Sequence, residues 1–223
     1  MTQTHKRRPA RRRAAPRPAV LAGGLLAVVL LALGGIVWLV GSGLPGEDVK
    51  VPDYVEQDYL MVNEWSRPGE ALEEINGVVI HYVGNPSTTA QANRNYFDSL
   101  ASGTEGIYAS SHFIVGLEGE VVQCVPLTEI AYASNTRNGD TVAIEVCHPD
   151  ETGKFSPVTY DRLVELTAWL CREFRLDPER DVIRHYDVTG KICPKYFVEE
   201  PAAWDQFRMD VDEAMAALEE SDR

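Results

Sequence analysis

Cysteine and positive charge are both scarce in this 223-residue sequence. Four cysteines are too few for a small disulfide scaffold, and 17 glycines and 13 prolines exclude a collagen-like or low-complexity chain. The net charge is −13, and because seven basic residues but no acidic ones lie within residues 1–18, the remaining sequence carries −20. A surface that acidic repels phosphates, so we expect no nucleic-acid partner.

Residues 19–40 form an apolar run without any charge, AVLAGGLLAVVLLALGGIVWLV. A helix of that length spans about 33 Å, close to the thickness of a bilayer core. The basic tail, residues 1–18, favours a cytoplasmic location for this end and places everything after residue 41 outside. A cleaved signal peptide is the alternative, but the run is longer than a usual signal core and no clear small-x-small site follows it. We therefore predict a single-pass anchor in the cell membrane.

The sequence after the predicted anchor has a globular composition, with 44% hydrophobic and 25% charged residues overall. Residues 41–57 are rich in glycine, proline and acid and are predicted to be a stalk, which leaves one domain at residues 58–223. We predict strands at 77–83, 141–147 and 182–185, a hairpin over 112–125, and helices at 87–100 with Ser87 as N-cap, from Ser156-Pro157, and over 204–218. Strands that alternate with helices predict an α/β domain with one central sheet.

Two histidines and one cysteine stand at positions that suit metal ligands. His81 comes at the outgoing end of one predicted strand and His185 at the end of another, while Cys193 follows eight residues later, after a glycine-containing turn. Two imidazoles and a thiolate are a good ligand set for zinc and leave a fourth position for water. By spacing alone, each histidine taken singly fits a purely structural role better than a ligand role.

Four segments carry a resemblance to a known family. They are IHYVGNP around His81, ASSHFIVGLEGEVVQC from Ala109, VAIEVCHPDETGKF from Val142 and RHYDVTGKICP from Arg184. In this order, over residues 75–207, they resemble the zinc-dependent N-acetylmuramoyl-L-alanine amidases, which include phage lysozyme-type amidases and peptidoglycan recognition proteins. The resemblance implies a mixed central β-sheet flanked by helices, zinc at one edge of the sheet, and His81, His185 and Cys193 as its ligands.

The same resemblance implies two catalytic residues. Lys191 matches a lysine that can stabilise the oxyanion formed when water attacks an amide, and Glu145 matches a glutamate that can transfer the proton. The phage branch carries a tyrosine immediately before its His-Phe pair, where this sequence has Ser111. That departure favours Glu145 as the acid and base and leaves Tyr108 as a substitute. The structural alternative for Lys191 is a solvated loop lysine, and the alternative for Glu145 is a half-exposed acid on a strand.

Other polar and sulfur-containing residues remain open candidates. His112 fits either the cleft or the core, and Cys147 and His148 point to opposite faces of a strand, so they cannot both reach one ion. A disulfide between Cys124 and Cys147 is compatible with an extracytoplasmic domain. Asn135, Arg137 and Asn138 are loop residues of the kind that contact substrates, but many surface loops have the same composition.

The resemblance therefore predicts a membrane-anchored zinc amidase domain at residues 58–223. Its substrate would be peptidoglycan, and the bond cleaved would join the lactyl group of N-acetylmuramic acid to L-alanine. A peptidoglycan-binding module without activity is one alternative, against which the intact His81, His185 and Cys193 set argues. A zinc peptidase that cuts stem peptides is the other, because the same metal chemistry permits it.

Overall fold

Six short strands form one mixed β-sheet in the computed structural model, which describes residues 43–221. The strands are β1 (Val55–Gln57), β2 (Val78–Ile80), β3 (Phe113–Val115), β4 (Val121–Gln123), β5 (Val142–Val146) and β6 (Val182–Arg184). They lie in the order β1-β4-β3-β5-β2-β6. Neighbouring strands are parallel except β3 and β4, which form the predicted antiparallel hairpin. The predicted α/β class with a mixed central sheet is confirmed.

Six α-helices accompany the sheet within the described residues. They are α1 (Ala90–Ser99), α2 (Pro157–Phe174), α3 (Pro178–Asp181), α4 (His185–Thr189), α5 (Lys195–Glu199) and α6 (Pro201–Ser221), and 3₁₀ turns cover Leu100–Ser102 and Asn135–Arg137. The start of α2 is as predicted, because the Ser156 hydroxyl accepts a hydrogen bond from the Thr159 amide at 3.2 Å and Pro157 takes the first helical position.

Helix α1 begins later than the sequence predicts. Its N-cap is Thr89, whose hydroxyl accepts a hydrogen bond from the Ala92 amide at 3.1 Å. Ser87, the predicted cap, has a left-handed backbone with φ 60°, and its hydroxyl donates to the Pro149 carbonyl instead. Both serine and threonine are good caps, so the tertiary contact of Ser87 decides between them.

The sheet lies between two hydrophobic clusters, and the side chains of its central strands alternate between them. Val142, Ile144 and Val146, which alternate along β5 and so share one of its faces, belong to the larger cluster, which includes the apolar sides of α2 and α6. Ile114 of β3 and Cys147, directly after β5, belong to the smaller cluster against α1. Each fully buried large aliphatic side chain stabilises the fold by about 1.5–3 kcal/mol.

Part of the predicted stalk belongs to the sheet. Val55–Gln57 form β1, an edge strand parallel to β4, in the register Val55 to Val121. Val55 is buried, and residues 49, 51 and 54 pack against the larger cluster. The stalk boundary at residue 57 is therefore too late. Only one side chain of β1 is buried, so the strand leaves no alternating pattern in the sequence.

The predicted basic tail, residues 1–18, and anchor, residues 19–40, lie outside the residues that the structure describes. Among residues 43–221, no helix combines the length and the hydropathy that crossing a bilayer requires.

Candidate metal centre and catalytic site

Three parallel strands, β5, β2 and β6, lead into a row of polar side chains at one edge of the sheet. In the strand register, Ile80 pairs with Ile144 of β5 and with Arg184 of β6. These residues come directly before His81, Glu145 and His185. The His81 amide also donates to the carbonyl of Ile144 at 2.8 Å, which continues the ladder by one residue. Glu145, His81 and His185 are therefore neighbours because of the sheet itself.

The local sequence after β6 sets the position of His185. The Asp187 carboxylate accepts a hydrogen bond from the Arg184 amide at 2.9 Å, so α4 begins directly after the strand, with His185 as its first residue. Gly190, with φ 77°, then ends this one-turn helix in a left-handed conformation that glycine adopts freely. The loop that follows returns to the helix, where the Tyr186 amide donates to the Cys193 carbonyl at 2.9 Å.

This return brings the three predicted zinc ligands together. One ligand atom from each of His81, His185 and Cys193 lies within 4.8 Å of the others. Cys193 Sγ is 3.9 Å from His81 Nδ1, and the two imidazole ring centres are 4.5 Å apart. All three side chains are buried, with residue exposures of 2%, 7% and 2%.

The electrostatics of this cluster suit a cation. Burial, assisted by the charges of His185 and Lys191, holds the pKa of His81 well below its ordinary value. Burial and Lys191 lower the pKa of His185 in the same direction, so both imidazoles keep a lone pair at neutral pH. Burial, with the Glu145 charge added, raises the pKa of the Cys193 thiol to about 12. Ionisation of that thiol therefore needs a positive partner.

A buried nitrogen without a hydrogen-bond partner also suits the binding of a metal ion. His185 Nδ1 is buried and has no hydrogen-bond partner within residues 43–221. Such a group carries a desolvation cost of about 1–3 kcal/mol unless something binds it. Two neutral imidazoles and a sulfur fit zinc by ligand type, and the residues present therefore suit the predicted metal.

Glu145 lies beside the three ligands. Its Oε1 is 3.9 Å from His81 Nδ1, and its Oε2 is buried without a hydrogen-bond partner among the described residues. Burial raises the pKa of Glu145 to about 8, against the opposing effect of the Lys191 charge. The side chain as a whole retains 18% exposure although its Oε2 is buried, so Glu145 lies at the border of the cluster.

Lys191 occupies the exposed loop between α4 and Cys193. Its charge lowers the pKa of both imidazoles, of Glu145 and of Cys193. One ammonium group thus acts electrostatically on every titratable member of the cluster.

Two adjacent loop residues contact the outer sides of the imidazoles. Ser134 Oγ lies 3.2 Å from His81 Nε2, and Asn135 Oδ1 lies 3.0 Å from His185 Nε2. In the sequence Asn135 is one of many polar loop residues, and nothing distinguishes Ser134. No spacing or periodicity signals them, because their contacts depend on where the loop before β5 lies in the folded chain.

A small cavity adjoins Asn135. It has a volume of about 200 Å³ and is lined by Tyr108, Tyr132, Ala133, Asn135 and Asn138. The Tyr108 hydroxyl donates to Glu64 at 3.1 Å, which raises the pKa of this tyrosine. Tyr108, the substitute for the catalytic acid and base, therefore lines this cavity with its hydroxyl already paired to a carboxylate.

The other candidates have structural contacts. Ser111 donates to the carbonyl oxygens of Phe113 and Ala143, at 3.0 and 2.9 Å, from a fully buried position. His112 accepts a hydrogen bond from the Ala143 amide at 3.0 Å and donates to the Glu129 carbonyl at 2.9 Å, and burial lowers its pKa to about 4. The hydrogen-bonding capacity of both side chains is thus used within the core.

His148 and the remaining cysteines are also accounted for. The two ring nitrogens of His148 lie 2.7 Å from the carbonyl oxygens of Asp150 and Val83. Cys124 and Cys147 are buried as free thiols in the smaller cluster, and Cys171 is a free thiol in the larger one. None of these residues joins the metal cluster.

Comparison with known proteins identifies relatives over most of the chain. A model of the N-acetylmuramoyl-L-alanine amidase family matches residues 71–196. N-acetylmuramoyl-L-alanine amidase BlyA of Bacillus subtilis strain 168 is 30% identical over 178 residues, which cover 71% of this chain and 47% of BlyA. A probable N-acetylmuramoyl-L-alanine amidase of Bacillus licheniformis is 32% identical over 170 residues, again 71% of this chain and 47% of the relative. The chain thus spans just under half the length of these curated relatives.

Solved structures share the fold. The catalytic domain of XlyA superposes with a TM-score of 0.59 at 24% identity, covering 70% of this chain and 98% of that domain. The hydrolase AmiA of Staphylococcus aureus, solved with its ligand, superposes with a TM-score of 0.54 at 18% identity over 75% of this chain and 85% of AmiA. At these identities the likeness establishes the α/β architecture.

Proposed function

Since the chain belongs to the N-acetylmuramoyl-L-alanine amidase family, as the resemblance in its sequence predicts, we propose that it is a zinc hydrolase that acts on peptidoglycan. The bond cleaved would be the amide between the lactyl group of N-acetylmuramic acid and L-alanine. One observation carries the proposal: ligand atoms of His81, His185 and Cys193 lie within 4.8 Å of one another at the edge of the sheet.

In this proposal His81, His185 and Cys193 hold the metal. Zinc supplies a Lewis acid that polarises the scissile carbonyl and makes water acidic near neutral pH. The protein keeps its three ligands buried, and with residue exposures of 7% or less they are protected from competing solvent. A three-ligand set leaves room for water and substrate, which separates a catalytic zinc site from a closed structural one.

Glu145 is assigned the proton transfer. Burial raises the pKa of Glu145 to about 8, and the positive charge of a bound zinc would lower it again, so that the side chain is ionised. As the water oxygen bonds to the carbonyl carbon, the Glu145 carboxylate takes the water proton, and it then delivers this proton to the L-alanine nitrogen as the C–N bond breaks. The support is positional, because Glu145 borders the ligands, with Oε1 3.9 Å from His81, while its Oε2 has no hydrogen-bond partner within the described residues. Such a free oxygen can accept a proton without first breaking another contact.

Lys191 is assigned to the developing oxyanion. The negative charge on the carbonyl oxygen grows in the transition state, so a fixed cation nearby lowers the barrier more than it stabilises the substrate. Lys191 is exposed, and its charge already acts on Glu145 and on the three ligands. An exposed ammonium can reach a substrate that approaches from solvent.

We further propose that the domain faces the cell wall from a membrane anchor. Residues 19–40 are charge-free and follow a basic tail, a combination typical of a helix with its N-terminus in the cytoplasm. Such an anchor would hold the domain on the side of the membrane where peptidoglycan lies.

Product analysis tests the proposed activity. The purified full chain, in mild detergent with zinc, is incubated with peptidoglycan, and the released material is identified by mass spectrometry. We expect stem peptides with a free L-alanine amino terminus and glycan strands with intact lactyl groups. Cleavage inside the stem peptides would identify a peptidase instead, and binding without any product would identify a module that only recognises the wall.

A further inference from the structure

The loop of residues 133–138, here called the ligand-support loop, holds the two metal-binding imidazoles from outside. We infer that Ser134 and Asn135 are positioning residues that orient His81 and His185 so that both present Nδ1 to the metal. The inference rests on the proposed zinc site and deepens it, because it specifies which ring nitrogens bind and what holds them.

His185 gives the clearest geometry. Its Nε2 lies 3.0 Å from Asn135 Oδ1, and an amide oxygen can only accept a hydrogen bond. Nε2 therefore carries the hydrogen, and Nδ1 keeps the lone pair. This same Nδ1 is the buried nitrogen without a partner in the described part of the chain. Asn135 thus selects the tautomer in which the unpaired nitrogen is ready to bind a cation.

His81 has the same orientation. Its Nε2 lies 3.2 Å from Ser134 Oγ, while its Nδ1 lies 3.9 Å from Cys193 Sγ. A metal on Nδ1 leaves Nε2 protonated, and the serine hydroxyl can then accept that hydrogen. Both imidazoles therefore direct Nε2 to consecutive residues of one loop and leave Nδ1 for the metal.

The ligand-support loop is itself held in place. Asn138 Oδ1 accepts hydrogen bonds from the amides of Ala133 and Ser134, at 3.2 and 2.6 Å. Asn135 has a left-handed backbone, with φ 53°, which asparagine tolerates better than most residues and which costs free energy unless the surroundings fix it. Asn135, the residue with this strained backbone, is also the one whose side chain contacts His185. A strained conformation is expected where it places a side chain for such a contact.

These contacts predict an effect on zinc affinity. Partners that hold a ligating histidine from outside typically contribute 10- to 100-fold to metal affinity. Because Ser134 and Asn135 are adjacent, a shift of the loop would misplace both imidazoles together.

The test compares two substitutions that both suit a left-handed backbone. Asn135→Gly keeps the loop conformation accessible but removes the acceptor, whereas Asn135→Asp keeps an acceptor oxygen. Zinc affinity is measured on the full chain in detergent by competition with a chelator. We expect a 10- to 100-fold loss in Asn135→Gly and in Ser134→Ala, with most of the affinity retained in Asn135→Asp. An Asn135→Gly chain that holds zinc as tightly as the parent would overturn the inference.

Ser87→Gly is the matched control. Ser87 is another non-glycine residue with a left-handed backbone, and its hydroxyl donates to the Pro149 carbonyl and not to a ligand side chain. Ser87→Gly should leave zinc affinity unchanged. A loss of affinity as large as that in Asn135→Gly would show that any loop substitution weakens zinc binding, and it would contradict the inference.

A second readout needs no zinc. Nitrogen-15 NMR of the metal-free chain should show His185 protonated on Nε2 in the parent and a mixture of tautomers in Asn135→Gly. A parent His185 protonated on Nδ1 would contradict the inference. If the parent binds no zinc at all, the proposed cofactor fails, while this spectrum still decides whether Asn135 sets the tautomer.

Discussion

Cys193 Sγ lies 3.9 Å from His81 Nδ1 although 112 residues separate them in sequence. The contact joins the end of β2 to the loop that follows α4, and it depends on the pairing of β2 with β6. Neither residue could form a metal site alone. The pair, completed by His185, is what makes the edge of the sheet a candidate zinc centre.

Replacement of Cys193 should separate the ligand types. Cys193→Ser exchanges a potential thiolate for a weak neutral hydroxyl, so we expect most of the bound zinc to be lost. Cys193→Asp should retain part of the zinc, because a carboxylate also binds this metal. Zinc content after purification, measured by mass spectrometry of the metal, checks both variants. Full occupancy in Cys193→Ser and in His185→Ala alike would place the ligands elsewhere.

Glu145→Gln should separate catalysis from metal binding. The amide keeps the shape of the side chain but cannot carry the proton, so the turnover number should fall about 10²- to 10⁴-fold. Zinc content and the thermal unfolding temperature should stay close to those of the parent. Glu56→Gln, on the exposed part of edge strand β1, is the matched control and should not change turnover. A turnover number in Glu145→Gln equal to that of the parent would show that Glu145 has no catalytic role.

Lys191→Met should lower kcat with little loss of zinc. Removal of one group that stabilises an oxyanion typically costs about 10²- to 10³-fold in kcat. The thioether replaces the charge without shortening the chain much. Lys50→Met removes a lysine whose side chain is 87% exposed beside Asp53, and it should be neutral. A kcat that stays constant while only KM rises would instead assign Lys191 to uniform substrate binding.

Protease treatment of intact protoplasts tests the proposed anchor. Because the charge-free run follows a basic tail, external protease should remove the domain and leave the tail protected. A domain that stays protected until the membrane is broken would contradict the proposed topology. A domain released into the medium without detergent would show that the apolar run is cleaved.

The sequence predicts the parts of the fold that are set by hydrophobic patterning. The alternation of Val142, Ile144 and Val146 predicts that they share one face of β5, and all three belong to the larger cluster, while Gly119 marks the turn of the hairpin. The sequence does not predict β1, because a single buried valine gives no periodic pattern. It also misplaces the cap of α1 at Ser87, whose hydroxyl instead donates to the Pro149 carbonyl.

The candidate site divides in the same way. His81 and His185 follow predicted strands and Cys193 follows a turn, so the sequence alone makes them candidate ligands, and the family resemblance adds the roles of Glu145 and Lys191. Ser134 and Asn135 are different, because a loop position shows its partners only after the chain has folded. Such outer contacts depend on tertiary geometry, which periodicity and propensity do not encode.

Zinc titration of the metal-free full chain, with cleavage followed at each step, tests the account most directly. Free L-alanine amino termini released from peptidoglycan should increase in proportion to added zinc and reach a plateau at one zinc per chain. Cys193→Ser should show no such increase over the same range. Full cleavage by the metal-free chain, or a zinc-saturated chain that leaves the muramoyl–alanine bond intact, would contradict the account.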